Sequence, residues 1–223
     1  MKTFLTVTGL ILGLIAVLFA IPLLVPHDKD GSAEPSHGLP WQVDALYGGK
    51  SRVFNLILGE STLEDAKAKL GSDLQLALIA APDETGTVEA YFDRLNTGFV
   101  TGKMIITADL TPETVAQIKA RSPKREYMES STRKYALTPE DAQLVMQSKI
   151  RALSFIPSIN LDAVMVEQRF GSPAERLKVG TVEHMLYPEK GLDVVLDPEG
   201  KEILQYVAPG TFAQLKDPLL TKK

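Results

Sequence analysis

Histidine titrates closer to neutral pH than any other side chain, so the three histidines are the first places to look for proton transfer or metal binding. His27 and His37 stand ten positions apart in a stretch of Pro, Gly, Ser and Asp, with no carboxylate pattern at ligand spacing. Two isolated imidazoles on a flexible segment read as solvated side chains, not a metal site. His184, between Glu183 and Met185 in a strand-like run, reads as structural or surface-exposed rather than catalytic. The chain has no cysteine, which removes thiol catalysis, cysteine zinc sites, disulfides and a thiol-linked lipid anchor. Gly-x-Ser-x-Gly, His-Glu-x-x-His, P-loop and dinucleotide-binding glycine signatures do not occur. The sequence thus nominates no catalytic residue, no cofactor and no metal, and the chain reads as a non-enzyme.

The remaining chemistry is charge. Lys119, Arg121, Lys124, Arg125, Arg133 and Lys134 crowd one stretch against Glu126 and Glu129, with Tyr127 and Tyr135 alongside. Such a strip suits an acidic partner or anionic lipid headgroups, with Lys124 and Arg125 as candidate contacts. Its interrupting acids favour a solvated connector between two helices. A net charge of −4 gives no general reason to expect nucleic acid.

The elements that must position these residues begin with an apolar N-terminus. Residues 4–25 carry no charge, and as a helix they span about 33 Å, enough to cross the hydrocarbon core of a bilayer. A cleaved signal peptide competes with this reading, but its apolar region is normally shorter, and Leu18-Phe19-Ala20 is a poor exit site. Lys2 on the short side, with Asp28 and Asp30 on the other, orients the bulk away from the cytoplasm. The expectation is a bacterial inner-membrane, single-pass protein with its ectodomain in the periplasm. Gly9, Gly13, Ala16 and Ala20 recur along one helical face and form a candidate packing face for a membrane-protein complex. Residues 26–40, which include both tether histidines, read as an extended tether.

The region beyond shows a landmark order twice. A capped start at Glu60-Ser61-Thr62 leads into Leu63, Ala66 and Leu70 and stops at Gly71-Ser72; Asn160 to Asp162 leads into Ala163, Val166 and Phe170 and stops at Gly171-Ser172. Gly-Thr-Val-Glu follows at 86–89 and again at 180–183, and Gly-Lys precedes a strand at 102–103 and at 200–201. Three landmarks in one order suggest an internal duplication. Tyr187-Pro188 and Asp197-Pro198-Glu199-Gly200 are turn sequences that join three strands into a meander. Two further helices open with Leu-Thr-Pro-Glu at 110–113 and 137–140, the second expected to run through Ile150 and Leu153.

A short helix ending in Phe170-Gly171-Ser172-Pro173, then a meander with Tyr187 and a hairpin at 197–201, resembles the SmpA/OmlA (BamE-like) periplasmic domain. The likeness is best over 159–207 and weaker over 62–108. A tandem pair would be similar in architecture to the β-lactamase inhibitor protein, a binding protein. Members of the SmpA/OmlA family are commonly anchored by a lipidated cysteine, which is absent here. With the apolar N-terminus and tether, the resemblance gives an expected α+β chain: a transmembrane helix at 1–25, the tether at 26–40, a first unit at 41–110, connecting helices at 111–158, a second unit at 159–210 and a tail at 211–223. The expected function is a membrane-anchored, non-catalytic accessory or scaffold subunit. It would pack its span into a membrane complex in the bilayer and bind a periplasmic protein. The alternatives are a free-standing binding or inhibitory module and a cryptic hydrolase. Tyr187 and Tyr206 on the second meander are candidate partner contacts, because tyrosine gives a large amphipathic contact at low entropic cost.

Overall fold

The structure is a computed structural model and describes residues 38–221 except 99, 129 and 130. A three-stranded antiparallel sheet comes first: β1 (Asp44–Leu46), β2 (Lys50–Val53) and β3 (Leu56–Ile57). Next comes α1 (Leu63–Leu70), whose start is a capping box: Thr62 Oγ1 accepts from the Asp65 amide while the Asp65 carboxylate accepts from the Thr62 amide. Then follow β4 (Gln75–Ala80), β5 (Thr87–Asn96), β6 (Thr101–Ala108), α2 (Pro112–Arg121), β7 (Arg125–Tyr127), β8 (Arg133–Tyr135), α3 (Pro139–Met146) and β9 (Ile150–Pro157). The chain closes with α4 (Ala163–Phe170), β10 (Glu175–Val179), β11 (Val182–Tyr187), β12 (Leu192–Leu196), β13 (Ile203–Val207) and α5 (Ala213–Leu220).

Strands β4 to β13 form one antiparallel sheet in the order β10-β11-β12-β13-β9-β6-β5-β4-β8-β7. Alternation along each strand gives the sheet two faces. Leu78, Ala90, Phe92, Met104, Ile106, Leu153, Phe155, Leu204, Val194 and Met185 share one face with the buried residues of α1 to α4. On the other, Phe212, just before α5, and Leu219 within it lie against Leu186 and Val207. The small sheet is held to the main core through Phe54, which turns the chain between β2 and β3 at φ 52. Its ring packs against Phe155 at 5.4 Å and edge-on to Tyr206 at 5.8 Å, so burial holds a backbone that a bulky residue rarely adopts.

This architecture corrects the expected fold. Among the described residues strand exceeds helix, 39% to 27%, and the two expected helix-plus-meander units are instead one continuous ten-stranded sheet whose halves join along β9 and β13. The helix expected to continue through Ile150 and Leu153 ends at Met146, where Ser148 caps the Val145 carbonyl, and those residues belong to β9. Spacings of three fit a helix, but 153 and 155 on one face with 154 and 156 on the other follow the strand period. The duplicated Gly-Thr-Val-Glu does not superpose either. Val88 lies in the main core, whereas Val182 packs on the opposite face beside Val195 and Ile203. A one-residue slip in strand phase exchanges every side chain between faces, and it has done so here.

No helix among the described residues is long and apolar enough to cross a membrane. The expected span at 4–25, its packing face Gly9, Gly13, Ala16 and Ala20, and the part of the tether carrying His27 and His37 lie outside the described residues. With no spanning helix among the described residues, the single-pass inner-membrane placement is not carried forward.

Candidate functional site

Pairing register places one polar side chain on each of six adjacent strands of the second face: His184 on β11, Asp193 on β12, Gln205 on β13, Ser154 on β9, Thr107 on β6 and Glu89 on β5. All but the half-buried Ser154 are buried. His184 Nδ1 lies 2.8 Å from Asp193 Oδ2, while Asp193 Oδ1 is buried without a partner. Burial pushes the Asp193 carboxyl above the usual range, against the opposing hydrogen bond and charge of His184. At the other end Thr87 Oγ1 donates to Glu89 Oε1 at 2.9 Å. Burial nevertheless raises the Glu89 carboxyl from 4.5 to about 7, with the Thr87 hydrogen bond and the Arg151 charge opposing.

A histidine held by a buried carboxylate is half of an acid–base apparatus, and the row supplies no second half. Ser154 is the hydroxyl nearest in the row on that side, and it sits three strands from His184, about 14 Å at the usual strand spacing, with Gln205 between. Proton transfer needs hydrogen-bond reach. No cluster of three metal-ligating side chains occurs among the described residues.

The surface features are elsewhere. Between β1 and β2 the chain turns through Tyr47-Gly48-Gly49, with both glycines left-handed at φ 78 and 69. The Gly210 amide donates to the Gly49 carbonyl at 2.8 Å, which pins the turn to the segment before α5. A Cβ on Gly49 would stand a tight 3.2 Å from Gly210, on a backbone whose φ of 69 already favours glycine. Tyr47 projects from this turn and is fully exposed.

The basic strip is divided among several duties. Lys119 donates to the Glu84 carbonyl at 2.6 Å and lies over the Tyr135 ring at 5.4 Å. Arg121 grips the buried Asp141 through two hydrogen bonds and holds its carboxyl below the usual range. Lys124 pairs with Glu126 at 2.5 Å. Arg125 and Arg133 lie 5.5 and 5.3 Å from the Tyr127 ring. Lys124 and Arg125 are exposed, the first just before the outer strand of the sheet and the second on it.

Tyr187 and Tyr206 are not surface residues. Tyr187 packs on Phe170 at 5.9 Å and donates to the Gly171 carbonyl at 2.9 Å; Tyr206 is fully buried and donates to the Pro40 carbonyl at 2.9 Å. Sequence reasoning passed over Tyr47, although Tyr-Gly-Gly is a turn signature with an aromatic at its tip. It also passed over Asp193, which meets His184 only once the β11–β12 register is known. Compared with known proteins, the chain matches no family model, no curated protein and no solved structure. The SmpA/OmlA likeness therefore rests on the residues quoted for it.

Proposed function

We propose that the chain is a non-catalytic protein-binding module, an accessory or scaffold subunit that offers Tyr47 as its anchor. One observation carries this reading: a fully exposed tyrosine on a turn pinned by the Gly49–Gly210 hydrogen bond. A tyrosine has two side-chain torsions and a polar tip, so docking it on a fixed turn forfeits little entropy and buries a large ring. The separation of His184 from the hydroxyls of its row supports binding over hydrolysis.

The test places benzoylphenylalanine at Asp44, on the same hairpin, and irradiates cells of the source organism. The expected result is a discrete protein adduct that Tyr47→Ala abolishes. Absence of any adduct, or one formed at full yield with Tyr47→Ala, overturns the reading.

A further inference from the structure

We propose that β7 is a strand-addition edge for an extended acidic segment of a protein partner. β7 is the last strand of the ten, and Arg125, Glu126 and Tyr127 are all exposed. Its inner side is satisfied. The Ala136 amide donates to the Lys124 carbonyl, and the Met128 amide donates to the Thr132 carbonyl, each at 2.9 Å. Backbone groups of alternate residues in an antiparallel pair point to opposite sides. Lys124, Glu126 and Met128 therefore face β8, while Arg125 and Tyr127 turn their N–H and C=O groups outward, where no described strand meets them. A peptide laid there gains main-chain hydrogen bonds from a ladder already in register.

The side chains choose the partner's charge. Arg125 and Arg133 flank the Tyr127 ring, and neither has a carboxylate within ion-pair distance among the described residues. Arg133 Nε is buried without an acceptor. The opposite edge strand, β10, differs: Glu175 is paired by Lys216 at 2.5 Å, and Arg176 by Glu167 and Glu183. The arginine of one edge is paired by carboxylates of its own chain, whereas the two arginines at the other have no paired carboxylate among the described residues, on a chain of net charge −4. An acidic strand complements it, whereas a second copy would bring like-charged arginines together. Three residues offer few main-chain bonds, so the arginine pair must supply much of the selectivity.

The proposal rests on the protein-binding reading but uses a surface other than Tyr47, so either can fail alone. The probe is a fluorescent nine-residue peptide of alternating Glu and Val, followed by anisotropy with the full chain. Saturable binding is expected, weakened at least about tenfold by Arg125→Glu with Arg133→Glu, and unchanged by Tyr47→Ala. Tyr127→Pro removes one outward N–H and is expected to bind more weakly than Tyr127→Ala. The same peptide N-methylated at alternate residues should lose binding to the unaltered protein, a comparison that needs no variant to fold. Equal binding of the N-methylated peptide, equal binding of a Lys/Val peptide, or self-association through β7 without peptide binding overturns the proposal.

Discussion

His184 and Asp193 are joined across the β11–β12 hairpin at 2.8 Å, inside a sheet face where the second carboxylate oxygen of Asp193 has no partner. Removing the imidazole would leave an acid buried with both oxygens unsatisfied. His184→Leu should therefore cost about 3 kcal/mol or more in urea unfolding, and adding Asp193→Leu should restore most of it. A single variant as stable as the wild type would show that water reaches the pair.

Glu89 gives the fold a pH dependence of definite sign. Its carboxyl titrates at about 7 when folded, against 4.5 as the ordinary value, so the folded chain retains a proton that the unfolded chain releases. Stability from this group is fully present below about 4.5 and is lost as pH rises towards 7, amounting to roughly 3 kcal/mol. Glu89→Gln should flatten that slope and exceed the wild type at pH 8. Parallel curves for the two proteins from pH 5 to pH 8 would refute the assignment.

Gly191 closes the turn between β11 and β12 at φ 65, with the Val207 carbonyl oxygen 2.0 Å from where a Cβ would sit. Gly191→Ala should destabilise by at least about 2 kcal/mol, because the clash is with backbone that cannot move aside. Gly180→Ala, at φ 63 in open space, is the control and should cost about 1 kcal/mol.

Tyr187 and Tyr47 should behave as opposites in thermal melts. Tyr187→Ala empties a core site and should cost about 3–4 kcal/mol, while Tyr187→Phe, which loses only the hydroxyl bond to Gly171, should cost about 1 kcal/mol. Tyr47→Ala should leave the melting temperature unchanged, since the ring packs on nothing in the described structure.

What was legible in the sequence was local. The Thr62 and Asp162 caps, the Thr-Pro openings at 111–112 and 138–139, and the glycine stops at 71 and 171 each act within a few residues, and all are present. The Asp197 turn formed as read, with Asp197 Oδ1 accepting from the Glu199 amide at 3.0 Å. What failed depended on pairing partners far along the chain. Nothing near Ile150 says that its segment lies between β6 and β13, and that placement turns two expected units into one sheet. The face on which Val182 or Tyr187 lands depends on strand phase, which a repeated tetrapeptide does not report. Ion pairing divided the basic strip for the same reason: Arg121 finds Asp141 twenty residues away.

The central position of β9 also governs how the chain emerges from a ribosome. β9 finds β6 already made, but its other side waits for β13, whose last residue is Val207, after β10, β11 and β12. At translation rates of about 5–20 residues per second, the fifty residues from Pro157 to Val207 take roughly 3–10 s, during which the edge from Ala152 to Phe155 waits unpaired on that side. The hydrogen bond from Tyr206 to Pro40 spans 166 residues, so the start of the described chain and the final strand are secured together at the end. A nascent chain of this protein thus spends seconds with the middle of its future sheet open to any passing strand, the interval in which a holding chaperone has most to protect.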